Sequence, residues 1–141
     1  MVSQRWTASH WLAPYLGHEF DLAVSSLRYR NPDGPETARG RQAELLYRRD
    51  AFAEVDLLLG IGAWSLSDGP EHLLGRAEIA GDFGDRFRGG LAYRRQVVED
   101  TLEAARRGIR AESYSAEAVI DLLPRLEAGA GYGLLDYSDG N

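Results

Sequence analysis

The chain contains no cysteine and no lysine, and its one methionine is the initial residue. Without thiols it can build no disulfide framework, thiolate nucleophile, iron–sulfur cluster or cysteine zinc site. Without lysine it can hold no pyridoxal phosphate as a Schiff base and has no phosphate-loop lysine. Histidine is scarce, at three positions, His10, His18 and His72. His10 and His18 stand eight apart, which is not the spacing of a helical zinc pair, and no Glu-x-x-His pair occurs, so neither a metal nor a cofactor is expected. Long apolar runs are missing too. The longest uncharged apolar stretch, 57–66, is half of what a membrane-spanning helix needs, and no basic segment followed by an apolar core opens the chain. No membrane association is expected, and the reading is cytoplasmic.

What is present is 141 residues with 16 arginines against 22 acids, a formal charge of -6, and 44% hydrophobic residues. That fits one compact domain over 1–141, large enough to bury a core unaided. The arginines are scattered from Arg5 to Arg125 in an acidic chain, which disfavours nucleic acid as a partner. Abundant arginine, alanine, glycine and leucine in place of lysine fits a GC-rich bacterial genome.

The apolar spacing predicts an all-α bundle of five to six helices. Leu16, Phe20, Ala23 or Val24, and Leu27 recur at helical intervals behind Pro14, a strand from Phe20 to Tyr29 being the alternative there, since Leu22, Val24 and Tyr29 would suit one; Tyr47, Ala51, Val55 and Leu58 do so in a second segment. Leu91, Val98, Leu102, Ala105 and Ile109 form the clearest stripe, and Ser115 stands where it would cap a last helix broken at Pro124. A glycine-rich loop is expected near 81–90 and a loose tail over 129–141. The nine-residue pattern Asp33-Gly34-Pro35-Glu36 to Gly40-Arg41 returns as Asp68-Gly69-Pro70-Glu71 to Gly75-Arg76; two helices starting alike for local capping reasons would account for it.

One neighbourhood has the composition of a site: Trp6, His10, Trp11, Tyr15, His18 and Glu19. Aromatic walls desolvate, imidazoles exchange protons near neutrality, and a carboxylate orients them. The expected function is a small protein-binding module of the immunity, antitoxin or adaptor type, docking a partner with a basic surface through an acidic helical face. Trp6, Trp11, Tyr15 and Arg95 are its candidate contacts. The alternative is a metal-free enzyme in which His10, His18 and Glu19 act as acid and base on a small molecule within the aromatic pocket. Arg95 falls within the helical stripe and therefore demands an acidic partner, for which Asp50, Glu54 and Asp56 are candidates.

Overall fold

A computed structural model describes residues 6–15, 18–30, 37–50, 54–99, 101–123 and 126–139. It overturns the helical expectation: the chain is one eight-stranded antiparallel sheet in which every strand pairs with its neighbours in sequence. The strands are β1 (Trp6–Tyr15), β2 (His18–Arg30), β3 (Thr37–Asp50), β4 (Val55–Leu66), β5 (Glu71–Asp82), β6 (Phe87–Val97), β7 (Arg110–Leu123) and β8 (Leu126–Tyr137). The one helix among the described residues, α1 (Leu102–Arg107), is six residues long. It starts where the Thr101 hydroxyl accepts from the Ala104 amide at 3.0 Å, and it stops at Gly108, whose φ of 63° is left-handed.

The stripe from Leu91 to Ile109 thus belongs to three elements, β6, α1 and the lead into β7. The expected loop near 81–90 shrinks to a turn at 83–86 with Gly84 at φ 89°, and the stretch expected as a tail is the body of β8. The second Asp-Gly-Pro-Glu copy is a hairpin turn at 67–70 opening β5. The first copy precedes β3, but its residues 33–36 lie outside those described.

Alternation defines two faces. On β2, Phe20, Leu22, Val24, Ser26, Arg28 and Arg30 point outward and are exposed, while Ser25, Leu27 and Tyr29 between them are buried. The registers carry this parity across the sheet: Leu22 faces Leu45, Leu45 faces Ile61, and Ile61 faces Gly75.

The sheet curls toward its inner face. Ala23 and Ser25 of β2 line the same cavity of about 290 Å³ as Arg94 and Gln96 of β6. In a flat sheet four strand spacings would hold them roughly 19 Å apart. The core sits within this curl at the end where α1 lies: Leu27, Tyr29, Ala38, Trp64, Leu66, Leu74 and Val97 enclose Ala105, with Leu102 packed against them. Tyr29 lies over Gly40, where a Cβ would stand 2.9 Å from its Cε2; only glycine leaves that seat open.

Candidate functional site

The outward face has no charged residue through its middle. β2 contributes Phe20, Leu22 and Val24, and β3 contributes Ala43, Leu45 and Tyr47. β4 adds Leu57, Leu59, Ile61 and Ala63; β5 adds Leu73, Gly75, Ala77 and Ile79; β6 adds Gly89, Leu91 and Tyr93. β7 carries Tyr114, Ala116, Ala118 and Ile120, and β8 carries Ala128, Ala130, Tyr132 and Leu134. These side chains stand in the open: Ile61 is 63%, Leu73 66% and Tyr132 71% exposed. Leu57, Ala77, Ile79, Leu91, Ala116 and Tyr132 border an apolar groove of about 480 Å³ on this surface. A contiguous apolar surface of this extent marks contact with something other than water.

The inner face is its opposite. Glu19, Asp56, Arg48, Arg76 and Glu78 line a cavity of about 440 Å³ away from α1, with Arg48 3.7 Å from Glu19 and Arg76 3.0 Å from Glu78. Next to it the cavity lined by Ser25, Gln42, Glu44, Arg94 and Gln96 reaches Trp64, the edge of the dry cluster under α1. The concave side is therefore a polar trough stopped at the α1 end by packed aromatic and aliphatic side chains.

Rims of aromatic and charged residues bound the apolar band. Toward the α1 end, Tyr93 and Tyr114 pack with centroids 5.1 Å apart, and the Tyr114 hydroxyl donates to Glu112 at 3.0 Å. Toward the far end, Phe20 packs on Tyr47 at 5.0 Å, and Phe83 on Phe87 at 5.9 Å. Aromatic rings with polar tips gather where apolar solvent meets water.

The band also runs obliquely to the hydrogen-bond rows. On β2–β5 the polar rim is the row Ser26, Arg41, Ser65 and Glu71. On β6–β8 it is Arg95, Glu112 and Asp136, which share a row with Leu22, Leu45, Ile61 and Gly75, four residues lower on β2 (26 to 22). The other boundary shifts the same way: His18 and Arg49 share a row with Leu91 and Ala116, while β6 and β7 stay apolar to Phe87 and Ile120, four residues further (91 to 87, 116 to 120). Strands tilted against a level apolar slab produce this stagger.

Of the residues singled out from sequence, Tyr15 stands directly opposite His18 in the β1–β2 ladder, while Glu19 and Arg95 are placed elsewhere. Trp6, His10, Trp11 and Tyr15 lie in β1, whose backbone pairs with β2, so they do not share a helical face with His18; their side chains fall outside what is described. His18 and Glu19 are neighbours on a strand and therefore point to opposite faces. His18 Nδ1 is 2.7 Å from the Tyr47 hydroxyl on the outward side, whereas Glu19 meets Arg48 in the trough. A proton-transfer pair from these two is not formed. Arg95 does have its acid, but it is Glu112 on the adjacent strand, Nε to Oε1 3.6 Å, and not Glu54 or Asp56; the side chain of the third candidate, Asp50, lies outside those described. Among the described residues no three histidine, aspartate or glutamate side chains gather as a metal centre. Sequence reasoning missed the trough residues Arg48, Arg76, Glu78 and Arg94; their period-two spacing against outward apolar residues was the available signal.

Compared with known proteins, the chain matches no family model, no curated protein and no solved structure.

Proposed function

We propose that this chain is a membrane-spanning β-sheet wall of the kind that forms transmembrane barrels, with its outward band against lipid and its trough against water. The observation that carries the reading is the uncharged outward face running across β2–β8 while the charges sit inward or at the rims. Three features support it: tyrosine and phenylalanine at both margins of the band, strands of 10–14 residues, and the oblique course of the band. Tilted strands of about 9–11 residues suffice to cross a bilayer. The polar trough, blocked at one end by α1 and Trp64, makes this a stoppered barrel wall and not an open pore.

The expectation of no membrane rested on searching for a long apolar run, and among the described residues no helix is long and apolar enough to cross one. That search is blind to strands, which place an apolar residue only at every second position. The cytoplasmic protein-binding module needed an acidic helical face; α1 offers Glu103 against Arg106 and Arg107.

The cysteine-free sequence makes the test direct. Single cysteines at outward Ile61, Leu91 and Ala116 and at inward Glu44, Arg94 and Ser115 are reacted with a charged maleimide after folding into phosphatidylcholine vesicles. Inward positions are expected to react and outward ones to be protected until the protein is unfolded in urea. Equal labelling of Ile61→Cys and Glu44→Cys in vesicles would sink the proposal.

A further inference from the structure

One part of the outward face breaks its own rule. Beyond Val24 and Ala43, at the α1 end of the β2–β3 hairpin, come Arg28, Arg30, Arg39 and Arg41, all exposed and all outward. Arg28 and Arg39 are directly opposite one another, with Arg41 facing Ser26 and Arg30 facing Thr37. Opposite side chains on a sheet have Cβ atoms about 5 Å apart, where like charges destabilise the pairing.

Two other like-charged facing pairs in the sheet are compensated. Arg76 faces Arg94, but Glu78 is 3.0 Å from Arg76; Glu112 faces Asp136, but Arg95 is 3.6 Å from Glu112. Among the described residues no carboxylate lies within ion-pair distance of Arg28, Arg30, Arg39 or Arg41. Counting Asp33 and Glu36 in the connection, segment 26–41 still carries four arginines against two acids, a net +2 in a chain of net -6.

We infer that this patch is a binding site for the phosphate groups of anionic membrane lipids. The inference rests on the membrane reading, which sets the patch beside the polar rim of the band, at headgroup height. Planar guanidinium groups chelate phosphate oxygens through two N–H donors each, and a phosphate between Arg28 and Arg39 turns their repulsion into a shared attraction. The acyl chains would then lie along the band below, over Val24, Ala43, Leu22 and Leu45. Basic residues at a bilayer surface attract anionic lipid in this way.

The test uses the full chain in phosphatidylcholine vesicles doped with spin-labelled phosphatidic acid or spin-labelled phosphatidylcholine. The protein-contacting, motionally restricted fraction is expected to favour phosphatidic acid by at least about fivefold at low salt. R28Q/R39Q should bring that preference close to one, and R28K/R39K should keep most of it. Retention of the preference in R28Q/R39Q overturns the site. Its abolition by millimolar inorganic phosphate at constant ionic strength also overturns it, since the patch would then take free phosphate and not lipid. Maleimide protection of the Ile61→Cys variant, read in the same vesicles, separates the failures: protection without lipid preference defeats this inference alone, whereas loss of protection defeats the membrane reading and this site with it.

Discussion

Leu59→Arg puts the membrane reading at risk at a single atom group. Leu59 is the middle of five outward positions on β4, with Val55 and Leu57 on one side and Ile61 and Ala63 on the other. Each boundary of that run is four residues away, about 13 Å along the strand at 3.3 Å per residue. Its cross-strand neighbours are Tyr47 and Ala77, neither of which offers a carboxylate. An arginine at the centre of a lipid-facing strand costs about 2–4 kcal/mol, whereas near an interface the cost falls to about 0–1 kcal/mol. Ser65→Arg, at the rim opposite Arg41 and Glu71, is the matched control. Reversible unfolding in guanidinium with vesicles present is the assay, and Leu59→Arg is expected to lower the folding constant by about 5- to 900-fold relative to Ser65→Arg. On a water-exposed face the same change would stay within about 0.5 kcal/mol of the parent, because Leu59 is already 42% exposed. Equal stability of the two variants in vesicles would refute the assignment of this face to lipid.

Three further outcomes test the packing behind that face. Gly40→Ala pushes a Cβ to 2.9 Å from the Tyr29 ring, so it should cost about 1–3 kcal/mol, with much of the loss removed in a Tyr29→Ala background when the cycle is measured by denaturant titration. Gly108→Ala places a side chain at φ 63° and into His72 and Pro70; a loss of more than about 1 kcal/mol and faster exchange of the α1 amides should follow, visible by hydrogen exchange. Trp64→Ala empties the centre of the cluster beneath α1, where Trp64 is 1% exposed, and should cost about 3–5 kcal/mol while leaving the maleimide protection of Ile61→Cys in vesicles intact.

The strands were hidden in the sequence for a physical reason visible on β2 and β4. On β2 the apolar residues are outward at Phe20, Leu22 and Val24, then inward at Leu27 and Tyr29; on β4 they are outward at Leu57, Leu59 and Ile61, then inward at Trp64 and Leu66. Each strand leaves the apolar band at the point where it enters the dry cluster under α1, so its hydrophobic parity reverses midway. The reversal breaks strict alternation and leaves intervals of three, as between Val24 and Leu27, that read as helical. On β6 the small residues Gly89, Gly90 and Ala92 blur both faces, which allowed Leu91 and Val98 to be joined to the true helical residues Leu102 and Ala105. The turn chemistry was legible, since Asp68-Gly69-Pro70 does end one element and start another. So was the need of Arg95 for an acid; what failed was the element, because a strand offers Glu112 across one ladder spacing where a helix would have looked further afield.

The edges of the sheet carry the last test. β1 pairs with β2 and β8 with β7, and no pairing joins β1 to β8 among the described residues. Along the free side of β8, a strand of 12 residues, alternate amides and carbonyls point away from β7. In water such an edge is solvated at little cost, but in hydrocarbon each unsatisfied group costs several kcal/mol and open edges are not tolerated. A lipid-embedded form of this sheet must therefore satisfy both edges, by joining β1 to β8 or by pairing each with another strand. Site-resolved hydrogen exchange separates this from an open sheet. In vesicles the outward-directed amides of β8 between Ala128 and Leu134 are expected to exchange as slowly as those of β7 that bond to β6. If they exchange at solvent rates while β7 stays protected, the edge faces water, and a sheet whose edge faces water at that depth is not lying in a bilayer.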